Sequence, residues 1–378
     1  MRKIIYLITL LFIVFVGFLI YPFLKSNKSN SSKGNVKQQH ILRNINSNHS
    51  NNFGKNWQQA QGIPVLCYHQ IVSKVQFKKR PTPYAVTVSQ FRNQINWLKK
   101  EHYKTLTIAQ FYDYMTGKKP INEKFVLITF DDGLNDFSKH AQKILEKVNF
   151  KAVLFIYPTW VIAKKKRALK PWQIANLSKL GYDIESHTFW HPKLTKMNVK
   201  DQTFQFKRSR KFLKKWSKKK EISYLAYPFG LFNETSVGLL KKLSYKAAFT
   251  IFPGINLPGQ NPYAFMRYMV VKGDSLKRFQ QKLEKKSIPI FKSNPNFGAI
   301  IPSKGKNVTI TIPTNLVTQN LALYYKRKKL KYKYNNENGK LTFFLKLKKG
   351  KIHNVNIKYK DGKINYRQTM LFNRLRSK

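Results

Sequence analysis

The sequence predicts an α/β fold, a distorted (β/α)7 barrel followed by a small C-terminal antiparallel β unit. Three observations predict it. Short apolar runs recur from Ile63 onward, segments of helical periodicity separate them, and after Asn294 the pattern becomes short β segments broken by glycines. Strands spaced by helices imply parallel pairing in a barrel or an open sheet; seven of them favour a barrel one strand short of the standard eight.

The candidate strands are 64–69, 125–130, 152–157, 182–187, 223–227, 247–252 and 267–271. Between them, 135–149 reads as a helix because Phe137, Ala141, Ile144, Leu145 and Val148 fall on one face. Segment 89–102 repeats the pattern with Phe91, Ile95 and Leu98. In the C-terminal part, 308–313, 321–325, 340–347, 352–359 and 363–366 read as strands, with turns at Gly339, Gly350 and Asp361-Gly362. The expected organisation is an anchor over 1–24, a tether over 25–60, a barrel over 61–290 and the β unit over 291–378.

The anchor rests on Ile4 to Leu24, 21 residues without a charge. At about 1.5 Å per residue such a run crosses a hydrocarbon core of about 30 Å. It lacks the short apolar region and small-residue site of a cleaved signal peptide, which stays the alternative together with secretion. Basic residues flank both ends, so the positive-inside rule leaves the orientation open. A three-residue leader leaves the rest of the chain to be translocated. The expectation is a single-pass membrane protein with its catalytic part outside the cell. Residues 25–60, rich in Asn, Ser, Lys and Gln, cannot bury enough apolar surface to order themselves.

Lys+Arg 72 against Asp+Glu 16 gives a net charge of +56. A charge this large drives association with polyanions. Zinc-finger spacing, RNP signatures and basic heptads are absent, so the expected partners are anionic wall polymers or lipids rather than a specific nucleic acid. The single cysteine, Cys67, excludes an intramolecular disulfide framework and reads as a small buried hydrophobe.

The chemistry gathers at predicted strand ends. Val126-Leu127-Ile128-Thr129-Phe130-Asp131-Asp132-Gly133 is an apolar strand closing on two carboxylates and a glycine turn. Adjacent carboxylates raise one another's pKa and call for a cation, although Asp-Asp-Gly is also a turn and N-cap sequence. A second strand ends at Glu185-Ser186-His187-Thr188-Phe189-Trp190-His191-Pro192. Two histidines and a carboxylate make a metal set that leaves positions for water and substrate. Non-haem iron oxygenases use the same donors, but inside a β sandwich that the strand–helix alternation does not support. His69 closes a third run, Val65-Leu66-Cys67-Tyr68-His69; alone it reads as a core or surface histidine.

Together, Thr129-Phe130-Asp131-Asp132-Gly133 and His187-Thr188-Phe189-Trp190-His191-Pro192 resemble the first two motifs of the NodB-homology polysaccharide deacetylases, carbohydrate esterase family 4. The resemblance spans about 63–271. It implies a NodB-type barrel, a divalent metal (commonly Zn2+) and removal of N-acetyl groups from N-acetylglucosamine polymers. It further implies that Asp131 is the general base and that Asp132, His187 and His191 are the metal ligands. Tyr227-Pro228-Phe229-Gly230 resembles the third motif, which forms a groove wall and offers the Phe229 N–H to the oxyanion. That motif's arginine is Ala226 here, with Arg267 as a candidate substitute. The late Leu-x-His motif has no match near Val271, whereas Leu66-Cys67-Tyr68-His69 opens the barrel. This placement resembles the branch acting on poly-β-1,6-N-acetylglucosamine, the biofilm exopolysaccharide, and implies that His69 is the general acid.

Trp190 and Phe229 are candidate sugar-stacking residues, and Arg267 a candidate substrate contact. A peptidoglycan or chito-oligosaccharide deacetylase is the neighbouring reading. A binding module without turnover is the reading of another class.

Overall fold

The computed structural model describes residues 61–79, 82–314, 316–348 and 351–374. The expected anchor and tether lie outside the described residues. Among the described residues no helix is long and apolar enough to cross a membrane.

The core is a curled parallel sheet of mixed α/β, half-barrel form. Its strands are β1 Ile63–Tyr68, β2 Phe125–Phe130, β3 Val153–Ile156, β4 Asp183–Ser186, β5 Tyr224–Ala226, β6 Ala247–Phe249 and β7 Tyr268–Met269. They run β7-β1-β2-β3-β4-β5-β6, all parallel. Ile255–Asn256 adds a short antiparallel partner to β1. A single parallel bridge between Phe249 and Phe265 links the two ends of the curl. Every residue of β1 and β2 is buried, as expected of parallel strands covered on both faces.

Helix α1, Val88–Lys100, starts at a capping box formed by Thr87 and Gln90. Its Phe91, Ile95 and Leu98 are buried, and Gln94 accepts a hydrogen bond from the Tyr68 hydroxyl at 2.9 Å. The helix expected over 135–149 opens with a π turn, Phe137–Ala141, before α2, Gln142–Lys147. Its first residues are held elsewhere: Asn135 bonds the carbonyls of Lys166 and Arg167.

The C-terminal part forms two four-stranded antiparallel sheets. With β8 Lys292–Asn294, β9 Lys306–Thr311, β10 Leu321–Tyr325, β11 Lys328–Leu330, β12 Lys333–Tyr334, β13 Lys340–Leu345, β14 Lys351–Asp361 and β15 Ile364–Arg374, the orders are β8-β9-β13-β12 and β11-β10-β14-β15. Their inner faces share an apolar cluster that includes Val308, Leu323, Phe343, Val355, Met370 and Phe372. Strand β15 runs eight residues beyond the end expected from sequence. Its second half is buried on both faces and so shows no alternation: Met370 and Phe372 face the sandwich, while Leu371 joins a cluster with Phe232, Leu240 and Tyr245 of the parallel-sheet part. Buried Asn373 donates to the carbonyls of Phe232 and Gly298, at 2.9 and 2.7 Å.

Candidate metal and catalytic centre

The pairing of β1 with β2 builds the first half of the site. Tyr68 pairs with Phe130, so the next residues, His69 and Asp131, emerge side by side, and the Asp131 N–H donates to the Tyr68 carbonyl at 2.9 Å. The chain then turns through Asp132 (φ 73°) and Gly133 (φ 69°). Asp tolerates the left-handed region, but a Cβ at position 133 would lie 2.6 Å from Ile156 Cγ2, so glycine is required there.

Strand β4 delivers the second half. Its end releases His187, whose Nδ1 lies 2.7 Å from the Ala226 carbonyl. A carbonyl only accepts, so Nδ1 carries the proton and Nε2 presents its lone pair to the site. The following loop turns left-handed at Thr188 and His191. Buried Gln205 pins it by accepting from the N–H groups of Phe189 and Trp190, each at 3.1 Å. Asp132 Oδ1 then stands 3.8 Å from His187 Nε2 and 3.7 Å from His191 Nε2. All three donor atoms lie within 4.8 Å of one another. Donors about 2.0–2.2 Å from a tetrahedral cation are about 3.3–3.6 Å apart, so the trio fits a divalent ion after a small contraction. Burial pushes His187 down to about 3, and His191 down as well, which keeps both imidazoles in the neutral form a metal needs.

Asp131 is held by Arg267. The guanidinium donates from Nη1 and Nη2 to the two carboxylate oxygens, both at 2.7 Å, and its Nε donates to the Thr250 carbonyl at 2.7 Å. Nη1 also reaches Thr129 Oγ1 at 3.1 Å. Burial pushes the Asp131 carboxyl up, but the charges of Arg267 and then His187 outweigh it and hold the group well below the usual carboxylate range. Arg267 is fully buried. The expectation of a substrate contact at Arg267 is therefore corrected: the side chain has no exposed surface, and its guanidinium is bonded to Asp131, Thr129 and the Thr250 carbonyl. Ala226, in the third motif's arginine position, leaves this space to a side chain from beside β7, which the curl brings next to β1.

His69 is half-buried and stacks on Tyr84, ring centres 5.2 Å apart at 23°. The short pairing of Gln70–Val72 with Ala85–Thr87 puts Tyr84 there. Nothing in the sequence near His69 signals Tyr84; the brief apolar run ending at the Thr87 cap is the only hint. Cys67 is buried, as expected. Its thiol donates to Asp131 Oδ2 at 3.5 Å and lies 4.0 Å from His69 Nδ1.

The third motif divides. Phe229 is 44% exposed, with φ 58°, and its ring meets His191 edge-on at 4.7 Å. Trp190, also exposed, packs on Phe204 at 5.4 Å. Tyr227 is different: it is buried, stacks on Phe232 and donates its hydroxyl to the Tyr263 carbonyl. Pro228 and Gly230 are buried too. The groove-wall expectation is thus corrected for the side chains of Tyr227 and Pro228, which support the loop from below.

Carboxylates and imidazoles gathered at the C-terminal ends of parallel strands, beside exposed aromatic rings, make a candidate metal-assisted hydrolytic site. A polysaccharide deacetylase family profile matches residues 118–248. YxkH of Bacillus subtilis, named for polysaccharide deacetylation, is 30% identical over 222 residues, covering 59% of this chain and 76% of that one. A poly-β-1,6-N-acetyl-D-glucosamine N-deacetylase of Staphylococcus aureus is 30% identical over 207 residues, covering 50% and 68%. Among solved structures, the Streptococcus pyogenes deacetylase PplD in complex with acetate superposes with a TM-score of 0.56 and 26% identity, covering 60% of this chain and 99% of that one. IcaB from Ammonifex degensii, 24% identical with a TM-score of 0.53 over 59% and 97%, shares the fold. The chain belongs to the polysaccharide deacetylase family, the NodB-homology group of carbohydrate esterase family 4, and is a deacetylase hydrolase. His69, Cys67 and Arg267 lie outside the profile match.

Proposed function

We propose that this chain hydrolyses N-acetyl groups of poly-β-1,6-N-acetylglucosamine, releasing acetate and leaving glucosamine units. The observation that carries the reading is the Asp131 carboxylate, ionised by a two-pronged Arg267 clamp, beside an Asp132–His187–His191 trio on one side and His69 on the other strand end. The Staphylococcus aureus relative and the position of His69 directly after β1 support the choice of polymer.

Asp132, His187 and His191 would hold the divalent ion, with Zn2+ the best match to two imidazoles and a carboxylate. Such an ion acidifies water and polarises a carbonyl when bound. Asp131 takes the proton from the attacking water, the Arg267 charge keeping its carboxyl ionised for that purpose. His69 donates a proton to the departing sugar nitrogen, with Tyr84 holding the ring. The exposed faces of Trp190 and Phe229 take the sugar rings, and the Phe229 N–H faces the oxyanion. The test is amine release by the full-length protein from poly-β-1,6-N-acetylglucosamine and from β-1,4-linked chito-oligosaccharides. Faster release from the 1,6-linked polymer supports the reading; faster release from the 1,4-linked oligomers overturns the linkage.

The division into a catalytic part over 61–290 and a β unit over 291–378 belongs to the same proposal, as does the full seven-stranded barrel. So does anchoring through the apolar run Ile4 to Leu24 with the catalytic part outside, where a charge of +56 favours anionic wall polymers or lipids. Protease added to intact cells should then digest the catalytic part; full protection would reject this orientation.

A further inference from the structure

A second group of metal donors lies beside the first. Cys67 Sγ, His69 and Asp131 each offer an atom, all within 4.8 Å of one another, and none belongs to the Asp132 trio. The same distance test applies to it. A tetrahedral cation with sulfur at about 2.3 Å and oxygen or nitrogen at about 2.0–2.2 Å holds its donors about 3.5 Å apart. Cys67 Sγ and Asp131 Oδ2 are 3.5 Å apart, and Cys67 Sγ and His69 Nδ1 are 4.0 Å apart. The second distance closes with a ring shift of about half an ångström. His69 is half-buried, and the Tyr84 ring that stacks on it is itself 44% exposed, so the two rings can slide together over that distance.

We propose that Cys67, His69 and Asp131 form a second, inhibitory site for a thiophilic divalent cation, such as cadmium or zinc in excess. Arg267 grips both Asp131 oxygens, yet each carboxylate oxygen has a further lone pair, and the one on Oδ2 receives the Cys67 thiol proton. The cation replaces that proton. The S–H bond breaks, a sulfur–metal bond forms, the proton leaves to solvent, and no electron is transferred. A thiolate selects zinc and its softer relatives over magnesium and calcium, which prefer oxygen donors. Asp132, the next residue after Asp131, keeps 22% of its side chain exposed, and His69 is half-buried, so the donors stand just beneath the surface. The two sites adjoin, since Asp131 Oδ2 is also 3.8 Å from His187 Nε2. Occupation of the second site ties up the base and the acid together, so it stops turnover; this consequence rests on the roles proposed for Asp131 and His69, while the binding does not.

The experiment titrates the full-length, metal-stripped protein with cadmium and follows both bound metal and thiolate-to-metal absorption in the ultraviolet. The expected result is two bound equivalents, with the absorption present. His191→Ala should lose an equivalent and keep the absorption; Cys67→Ala should lose an equivalent together with the absorption. Turnover on N-acetylglucosamine polymer, measured alongside, should vanish as the Cys67 site fills and return on mild chelation. Absence of the absorption in the unmodified protein overturns the proposal, whatever the variants do. Two equivalents retained by folded Cys67→Ala also overturns it. A protein that absorbs on titration but stays inactive after mild chelation has emptied the Cys67 site rejects the proposed reaction and leaves the second site standing.

Discussion

Asp131 and Asp132 are neighbours in sequence with opposite surroundings. Asp131 turns inward onto Arg267, while Asp132, in a left-handed turn, faces His187 and His191. Burial raises the Asp132 carboxyl, opposed by His69 and His191, whereas Arg267 depresses Asp131. A carboxyl so depressed stays ionised throughout the working range, as the proposed base must. Its pairing stabilises the fold above the ordinary carboxylate pKa of about 3.9 and is lost only as pH falls through the lower folded value. Asp131→Asn should cut kcat by about 10²–10⁴ while metal content, read by elemental analysis, stays unchanged. Arg267→Lys, which keeps the charge and loses the fork, should move the acidic limb of kcat/KM to higher pH. A limb that stays in place would remove Arg267 from the role of holding the base.

At the scale of elements, His69, Asp131, Asp132 and His187 are each the first or second residue after a parallel strand, His191 follows on the loop after β4, and strand pairing decides which of them meet. Glu185 shows how β4 and β5 are kept in step. It is buried and accepts from the N–H groups of Ser223 and Tyr224, at 3.0 and 2.9 Å, just where β5 begins. Burial pushes its carboxyl up to about 8, against the pull of Lys219. A raised folded pKa means the protonated form is favoured in the fold. Its contribution is therefore full below the ordinary glutamate value of about 4.3 and is lost as pH rises towards 8. Glu185→Gln, which keeps the acceptor and cannot ionise, should flatten the fall of Tm between about pH 5 and 8. An unchanged slope would show that Glu185 does not titrate in this window.

Across the whole molecule, the C-terminal strands reach the site at one remove. Asn373 ties β15 to the carbonyls of Phe232 and Gly298, and Phe232 in turn stacks on Tyr227 beneath the Phe229 loop. Asn373→Ala leaves two buried carbonyls without this donor and should cost about 1–3 kcal/mol, measured as a lower denaturant midpoint. Bound metal should not change, because none of the Asp132 trio touches this joint. Unaltered stability would reduce β15 to a cover. The net charge of +56 belongs to this scale too, and the polyanion attraction proposed for it would weaken as salt rises.

The sequence by itself determined the strand–helix alternation, because apolar runs and 3.6-residue periodicity record burial locally, and it marked Asp131, Asp132, His187, His191 and His69 as residues at strand ends. It could not read the end of β15, where 368–373 are buried without interruption and so show no period. Nor could it find Tyr84 or Gln205, which reach the site through pairing and packing with distant segments. Arg267 was legible only as a candidate; its two-pronged hold on Asp131 exists because the curled sheet sets β7 beside β1, over a sequence separation that no local pattern records. The meeting of Cys67 with Asp131 and His69 was likewise decided by tertiary structure, since only the register of β1 on β2 turns a buried cysteine into a neighbour of the Asp131 carboxylate.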